Sequence, residues 1–555
     1  MSVQTHTPSL PPPIDAGLWA RFRWTLRMLV RQPNPIWIRE LRQSARQTRT
    51  PVILAVLTGM MTLLIASIGG VLSTTAEPAQ VGIGVFHTFF SLAFAVVTWV
   101  GPAVAAATIA SERNGRTWEA LLLTGLTPAS IARGKFLASF TYVGLYVVML
   151  APVGGLSFLF GGVTPAEVLL AFALLLLLAA LSVAFGLAVS SKLASPAVSI
   201  LVTLFVAVPL SIVVYVSGGV GLSFAVRELW PTLTGGAPVW LPTAYVRADF
   251  GLTYLVFLVL FPVVAAVIPG WLFYEVTIAN MASPSDDRST RLRVWLLVCA
   301  PLVTAAMTAS GLALRKVDWF LAGVTVCWVF FVFAAFLLAG EPLGPSARVE
   351  VRWSRVKISR WRMALGPGIG RAMLLAAALT CICLVLLTVA GLRFATSRDE
   401  RYALLSISGY ALGFSLFCLG FSAWARARAN AAAVPRVLLA GVAFVALIGP
   451  YVAMAIGGIF ADSSPRMLLV AAPSPAFAFA VVDRFRSPGG EADLYALAGV
   501  VASTGWGLLG LGLLGAGTAR ARTRWGAERE ARRALEQPPS ATESAAQPAP
   551  GASSP

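Results

Sequence analysis

The stretch VLLAFALLLLLAALSVAFGLAVS, residues 168–190, contains no charged side chain and is apolar on every face a helix could present. Wound as a helix at about 1.5 Å per residue, it is long enough to cross the roughly 30 Å hydrocarbon core of a bilayer. A soluble domain could hide one such helix at its centre, but this chain repeats the pattern. Comparable runs occur at 51–72, 83–110, 136–160, 197–216 and 251–274, and again at 294–314, 319–339, 372–391, 402–423, 437–460 and 494–517. Twelve spans make the expected fold an all-α polytopic membrane protein.

Composition points the same way. The chain is 57% hydrophobic and 12% charged, with a mean hydropathy of +0.79, far from the balance of a soluble globular domain. Placing both termini in the cytoplasm puts most of the 42 Lys and Arg residues in cytoplasmic loops, the bias that ordinarily sets orientation. The net charge of +18 is therefore explained by topology. Its cations are spread over many loops without a reading motif, so no nucleic-acid partner is expected. The polar, Pro-rich start shows no cleavage pattern, and the first span is expected to remain as an anchor. The five cysteines all lie in spans of the second half and read as packing residues.

The chain divides into a disordered N-terminus (1–16), amphipathic helices lying at the membrane surface (17–50), and a first six-helix unit (51–275). A short linker (276–293), a second six-helix unit (294–517) and a basic, then disordered, tail (518–555) complete it. Within 17–31, Leu18, Phe22, Leu26 and Leu29 oppose Arg23, Arg27 and Arg31, a pattern suited to an anionic leaflet. The two halves share a loop rhythm. In each, two spans precede a longer cytoplasmic segment (111–135 and 340–371), and a long outer loop precedes the last span. Six spans restore the starting side, so the repeat is parallel.

The segment 111–135 reads as a capped elbow. Thr117 is an N-cap candidate for a short helix from Trp118, Gly125 a stop, and Thr127 with Pro128 the start of the next helix. The spans place their Asp, Glu, Lys and Arg residues at ends or in loops, with Glu275 nearest to an exception. Ion-coupled carriers usually need ionisable groups inside the membrane, so the energy source is expected elsewhere. No nucleophile, metal cluster or phosphate loop is evident: Arg133-Gly134-Lys135-Phe136 lacks both the first Gly and the hydroxyl of such a loop.

Asn34-Pro35-Ile36-Trp37-Ile38-Arg39-Glu40, together with Ser111-Glu112-Arg113, Thr117-Trp118-Glu119 and Gly134-Lys135, resembles the membrane subunits of type-2 ABC transporters over about residues 34–280. The resemblance implies an ABC transporter permease, most simply an exporter, in the bacterial inner membrane. A connecting helix would carry Asn34, Pro35, Trp37, Arg39 and Glu40. A coupling surface of Glu112, Arg113, Thr117, Trp118 and Glu119 would dock on a separate ATPase, and Gly134 and Lys135 would begin the third span. ATP and Mg would bind in that partner, with no cofactor in this chain. One departure stands out: the family commonly has Gly directly before the Thr, where this chain has Arg116. The second half lacks the acidic motif, and its loop carries Arg352, Arg355, Lys357, Arg360 and Arg362. It reads as a degenerate second permease unit. A gradient-driven secondary transporter and a non-transporting scaffold are the alternatives. The substrate, and whether the chain acts singly or as a homodimer, stay open.

Overall fold

The computed structural model describes residues 33–46, 49–233, 240–283, 285–355, 363–460, 465–486 and 492–536. The surface helix expected at 17–31, the termini expected to be disordered and the cations Lys357, Arg360 and Arg362 lie outside these residues. Among the described residues the chain is helical and without strands, and twelve helices are long and apolar enough to cross a membrane. It is an all-α, multi-pass membrane protein.

Each expected span is present, and most are longer than hydropathy alone implies. Span 2 runs from Pro78 to Asn114, span 10 from Arg398 to Arg428, and span 12 forms part of a helix from Ala492 to Glu536. Polar residues continue these helices past the apolar core, and the internal proline of span 2, Pro102, lies within its apolar run. Span 3 is divided into Pro128–Met149 and Ala151–Leu159. Pro152, in the first turn of the second piece, has no N–H to continue the ladder.

Two compact units share the chain. The first comprises Met1–Tyr254 and Ala265–Ala282, the second Leu255–Val264 and Ser283–Pro555. Span 6, Leu252–Met281, is thus divided, its segment Leu255–Val264 packing with the second unit and the rest with the first. In the first unit, span 2 is central, and Phe86, Phe89, Val97, Ala105 and Ile109 pack with Ile131, Val143, Leu175 and Val183 of spans 3 and 4. In the second unit, spans 10 and 12 touch backbone to backbone. A Cβ on Gly420 would come to 2.0 Å from the Gly510 carbonyl oxygen, so only glycine allows this approach. Lipid tails give no hydrophobic advantage to helix association, so such close van der Waals contact supplies it instead.

Lys135, Glu167 and Arg293 lie near the starts of their helices, as expected of charges at span ends, but all three are buried, and Glu275 is buried within span 6. Lys135 lies in the second turn of the helix that starts at Pro128, so span 3 is continuous with the helix that Thr127 caps. The loop of the second half also contains paired acids, Glu341 with the buried Arg293 and Glu350 with the half-buried Arg529.

Candidate functional site

The helix Pro35–Ala45 begins at Asn34, whose side-chain Oδ1 accepts from Ile36 N at 3.0 Å, with Pro35 in the first turn. The same amide donates from Nδ2 to the Ser130 carbonyl at 2.7 Å. The N-cap is therefore also a tether to span 3. Gly134 makes this docking possible, since a Cβ there would come to 2.6 Å from Asn34 Oδ1. Ile36 is buried at the contact, and the indole of the next residue, Trp37, donates to Thr141 Oγ1, two turns along span 3 from Gly134, at 3.3 Å.

Beyond this lies a four-residue charge cluster. Lys135 Nζ meets Glu112 Oε1 at 3.1 Å and Glu40 Oε1 at 3.3 Å, and donates to the Thr108 carbonyl at 3.2 Å. Three acceptors match the three donors of an ammonium, and two of them are carboxylates that offset the cost of burying a lysine only 1% exposed. Arg39 bridges both acids, reaching Glu40 at 2.8 Å and also bonding Glu112. Burial works to raise the Glu40 carboxyl, but the Lys135 charge and the Arg39 hydrogen bond outweigh it and hold the group below its ordinary range. Arg39 is opposed by its own burial but raised by hydrogen bonds to Glu40 and Glu112. The connecting helix, the end of span 2 and the start of span 3 are thereby locked together.

The elbow projects from this clamp. Its backbone turns at Arg116, which has φ +55°, and at Gly125, with φ +73°. The first is the position where the resembling family commonly carries Gly; the left-handed region strains a residue with a Cβ and is open to glycine. Thr117 precedes the helix Trp118–Leu123, but its hydroxyl donates back to the Glu112 carbonyl at 3.2 Å instead of capping that helix. Thr127 does cap span 3, its Oγ1 accepting from Ser130 N.

The structure separates residues that the sequence grouped. Glu112, 12% exposed, turns inward to the clamp, whereas Glu119 is exposed. Arg113, whose guanidinium lies 5.3 Å from the centre of the Trp118 ring, lines a shallow depression of about 380 Å³ with Arg116, Trp118 and Glu119. Leu123, 87% exposed, stands at the end of this face. Sequence reasoning named both Glu40 and Lys135 without pairing them, and it missed Thr108, Ser130 and Leu123. Ser130 carried a local signal, three residues after the capping Thr127; the contact between Glu40 and Lys135 had none.

Among the described residues no group of three or more His, Cys, Asp or Glu could hold a metal ion. The cluster has the character of a mechanical joint: a rigid base with a small mixed-charge and apolar face projecting from it. Compared with protein-family models, curated proteins and solved structures, the chain matches none.

Proposed function

We propose that this chain is the membrane-spanning permease subunit of an ABC-type transporter, driven by a separate ATPase that docks on the elbow in the cytoplasm. The observation that carries this reading is the clamp of Arg39, Glu40, Glu112 and Lys135, which joins an exposed docking face to spans 2 and 3. A push on Trp118–Leu123 would be transmitted through Glu112 and Lys135 without being absorbed by loose loops. The ATPase states must differ in how they bind this face, because only a differential interaction shifts a membrane equilibrium. ATP and Mg belong to the partner. The substrate passes by alternating access, with export the favoured direction.

The test separates docking face from clamp. Glu119→Lys with Leu123→Asp changes only exposed side chains, so the protein should insert and melt as before while an ATPase that co-purifies with the parent chain is lost. Retention of the ATPase by this variant, or absence of any ATPase from mildly solubilised parent protein, would overturn the reading. A gradient-driven transporter has one observation in its favour: Glu275 is buried within span 6, where Trp271 Nε1 donates to it at 3.2 Å. That reading requires flux in sealed vesicles from a proton gradient alone, abolished by Glu275→Gln.

A further inference from the structure

Spans 9 and 12 of the second unit change from apolar to basic at the same level. Gly370, at the start of the helix Ile369–Leu392, faces Thr518 on span 12, where a Cβ on the glycine would meet Thr518 Cγ2 at 3.3 Å. Beyond that level span 9 carries Arg371, whose side chain leans back toward its helix start, and span 12 carries Arg522 one turn after Thr518. Both are exposed, and the two guanidiniums are near enough to act on each other by charge. Neither has an acidic partner among the described residues. Arg371 donates to the Met363 carbonyl at 2.9 Å and lies 5.8 Å from the centre of the Trp353 ring, an indole suited to the membrane interface.

A third guanidinium lies behind them. Arg293 is fully buried, pairs with Glu341 at 2.9 Å and donates to the Gly368 carbonyl at 2.9 Å, at the residue that opens span 9. Its Nε–H finds no acceptor among the described residues. Gly368 offers no side chain to cap span 9; the Ile369 N–H is met by the Pro342 carbonyl at 2.8 Å, and the helix start adds its positive dipole end to the same place. Three guanidiniums and one carboxylate leave a local excess of positive charge where both spans leave their apolar runs.

We propose that Arg371 and Arg522, beside the start of span 9, bind a phosphate group, presented either by an anionic phospholipid headgroup or by free phosphate. Arginine forks match phosphate oxygens, and Trp353 supplies the apolar flank that a headgroup with its glycerol would lie against. The site needs no ATPase partner and does not depend on the transport reading.

The test is native mass spectrometry of the full chain released from detergent containing phosphatidylglycerol, repeated with millimolar inorganic phosphate as competitor. Arg371→Gln with Arg522→Gln should weaken retention of the lipid about tenfold, the scale of one or two charge-assisted hydrogen bonds. Arg533→Gln, an exposed cation farther along the same helix, should leave it unchanged. Arg522→Gln alone, which removes no recorded contact, should give a partial loss even if the double variant folds poorly. Retention that resists inorganic phosphate assigns the site to a lipid, and displacement by it assigns the site to a free anion. Equal binding by the parent and the Arg522 variant, or an equal loss in the Arg533 control, would overturn the proposal.

Discussion

The joint after span 2 and the loop after span 8 solve one problem in two ways. Each buries a basic side chain against an acid that follows the second span of its unit: Lys135 with Glu112 and Glu40 in the first, Arg293 with Glu341 in the second. In the first unit the base is an ammonium whose donors are met by two carboxylates and a carbonyl, and the elbow beyond it is left uncovered. In the second the base is a guanidinium spread over Glu341 and the carbonyls of Gly366 and Gly368, and the chain's own last helix braces the loop at residues 344–350. Trp525 donates to the Pro345 carbonyl and packs on Gly344, and Arg529 pairs with Glu350 at 3.1 Å. The same device thus anchors a projecting elbow in one unit and, in the other, a helix braced along one side, whose Val351, Arg352 and Arg355 are still exposed. The proposed partner is assigned to the elbow of the first unit.

The sharpest way to break the comparison is to remove each base. Arg293→Ala leaves Glu341 buried without its ion pair and frees two carbonyls, a loss of about 3–5 kcal/mol. Thermal melting in detergent should show it as a large drop. Lys135→Ala should cost less, about 1–3 kcal/mol, because Arg39 remains to neutralise both acids. Its signature is local: a cysteine placed at the buried Ile36 should become open to alkylation while the rest of the protein melts nearly as before. Equal effects of the two substitutions would show that the joints are not built differently.

Acid should distinguish them next. Glu40 has a lowered value in the folded protein, so its contribution is fully present above its ordinary value of 4.5 and disappears as pH falls through the lowered one. Protection of the amides of 36–45 from hydrogen exchange, corrected for the intrinsic rate at each pH, should therefore stay high at neutral pH and fall only below that range, and Glu40→Gln should remove the dependence. The smallest effect expected is a gain. Arg116→Gly relieves a left-handed residue and should stabilise the elbow by about 1 kcal/mol, less whatever entropy glycine adds to the unfolded chain. Hydrogen exchange across 115–123 would register it, and no comparable change is expected in the second loop.

Much of this was legible beforehand. The apolar runs identified every span, and the Thr127-Pro128 pair located a helix start, because both are local properties of the backbone and its solvent. Helix faces were not legible. Six glycines crowd the end of span 12, yet Gly507, Gly510 and Gly517 meet the backbone of span 10 while Gly505, Gly512 and Gly515 face open space. Composition shows that glycine is abundant, but the neighbour decides which side of the helix needs it. The same holds for Thr117, whose place before a helix suggested a cap and whose hydroxyl instead turned to the Glu112 carbonyl.

Sequence by itself determined that this is a membrane protein of twelve helices, since transfer of apolar runs into lipid depends on length and composition. It also supplied the elbow and the residues of its joint. Only the tertiary structure decided their roles: Glu112 inward and Glu119 outward, Lys135 buried against an acid far away in the chain, and the second loop braced at 344–350 by the last helix. Charges find partners through space, and the cost of burying one without a partner makes those long-range pairings obligatory once the helices have packed.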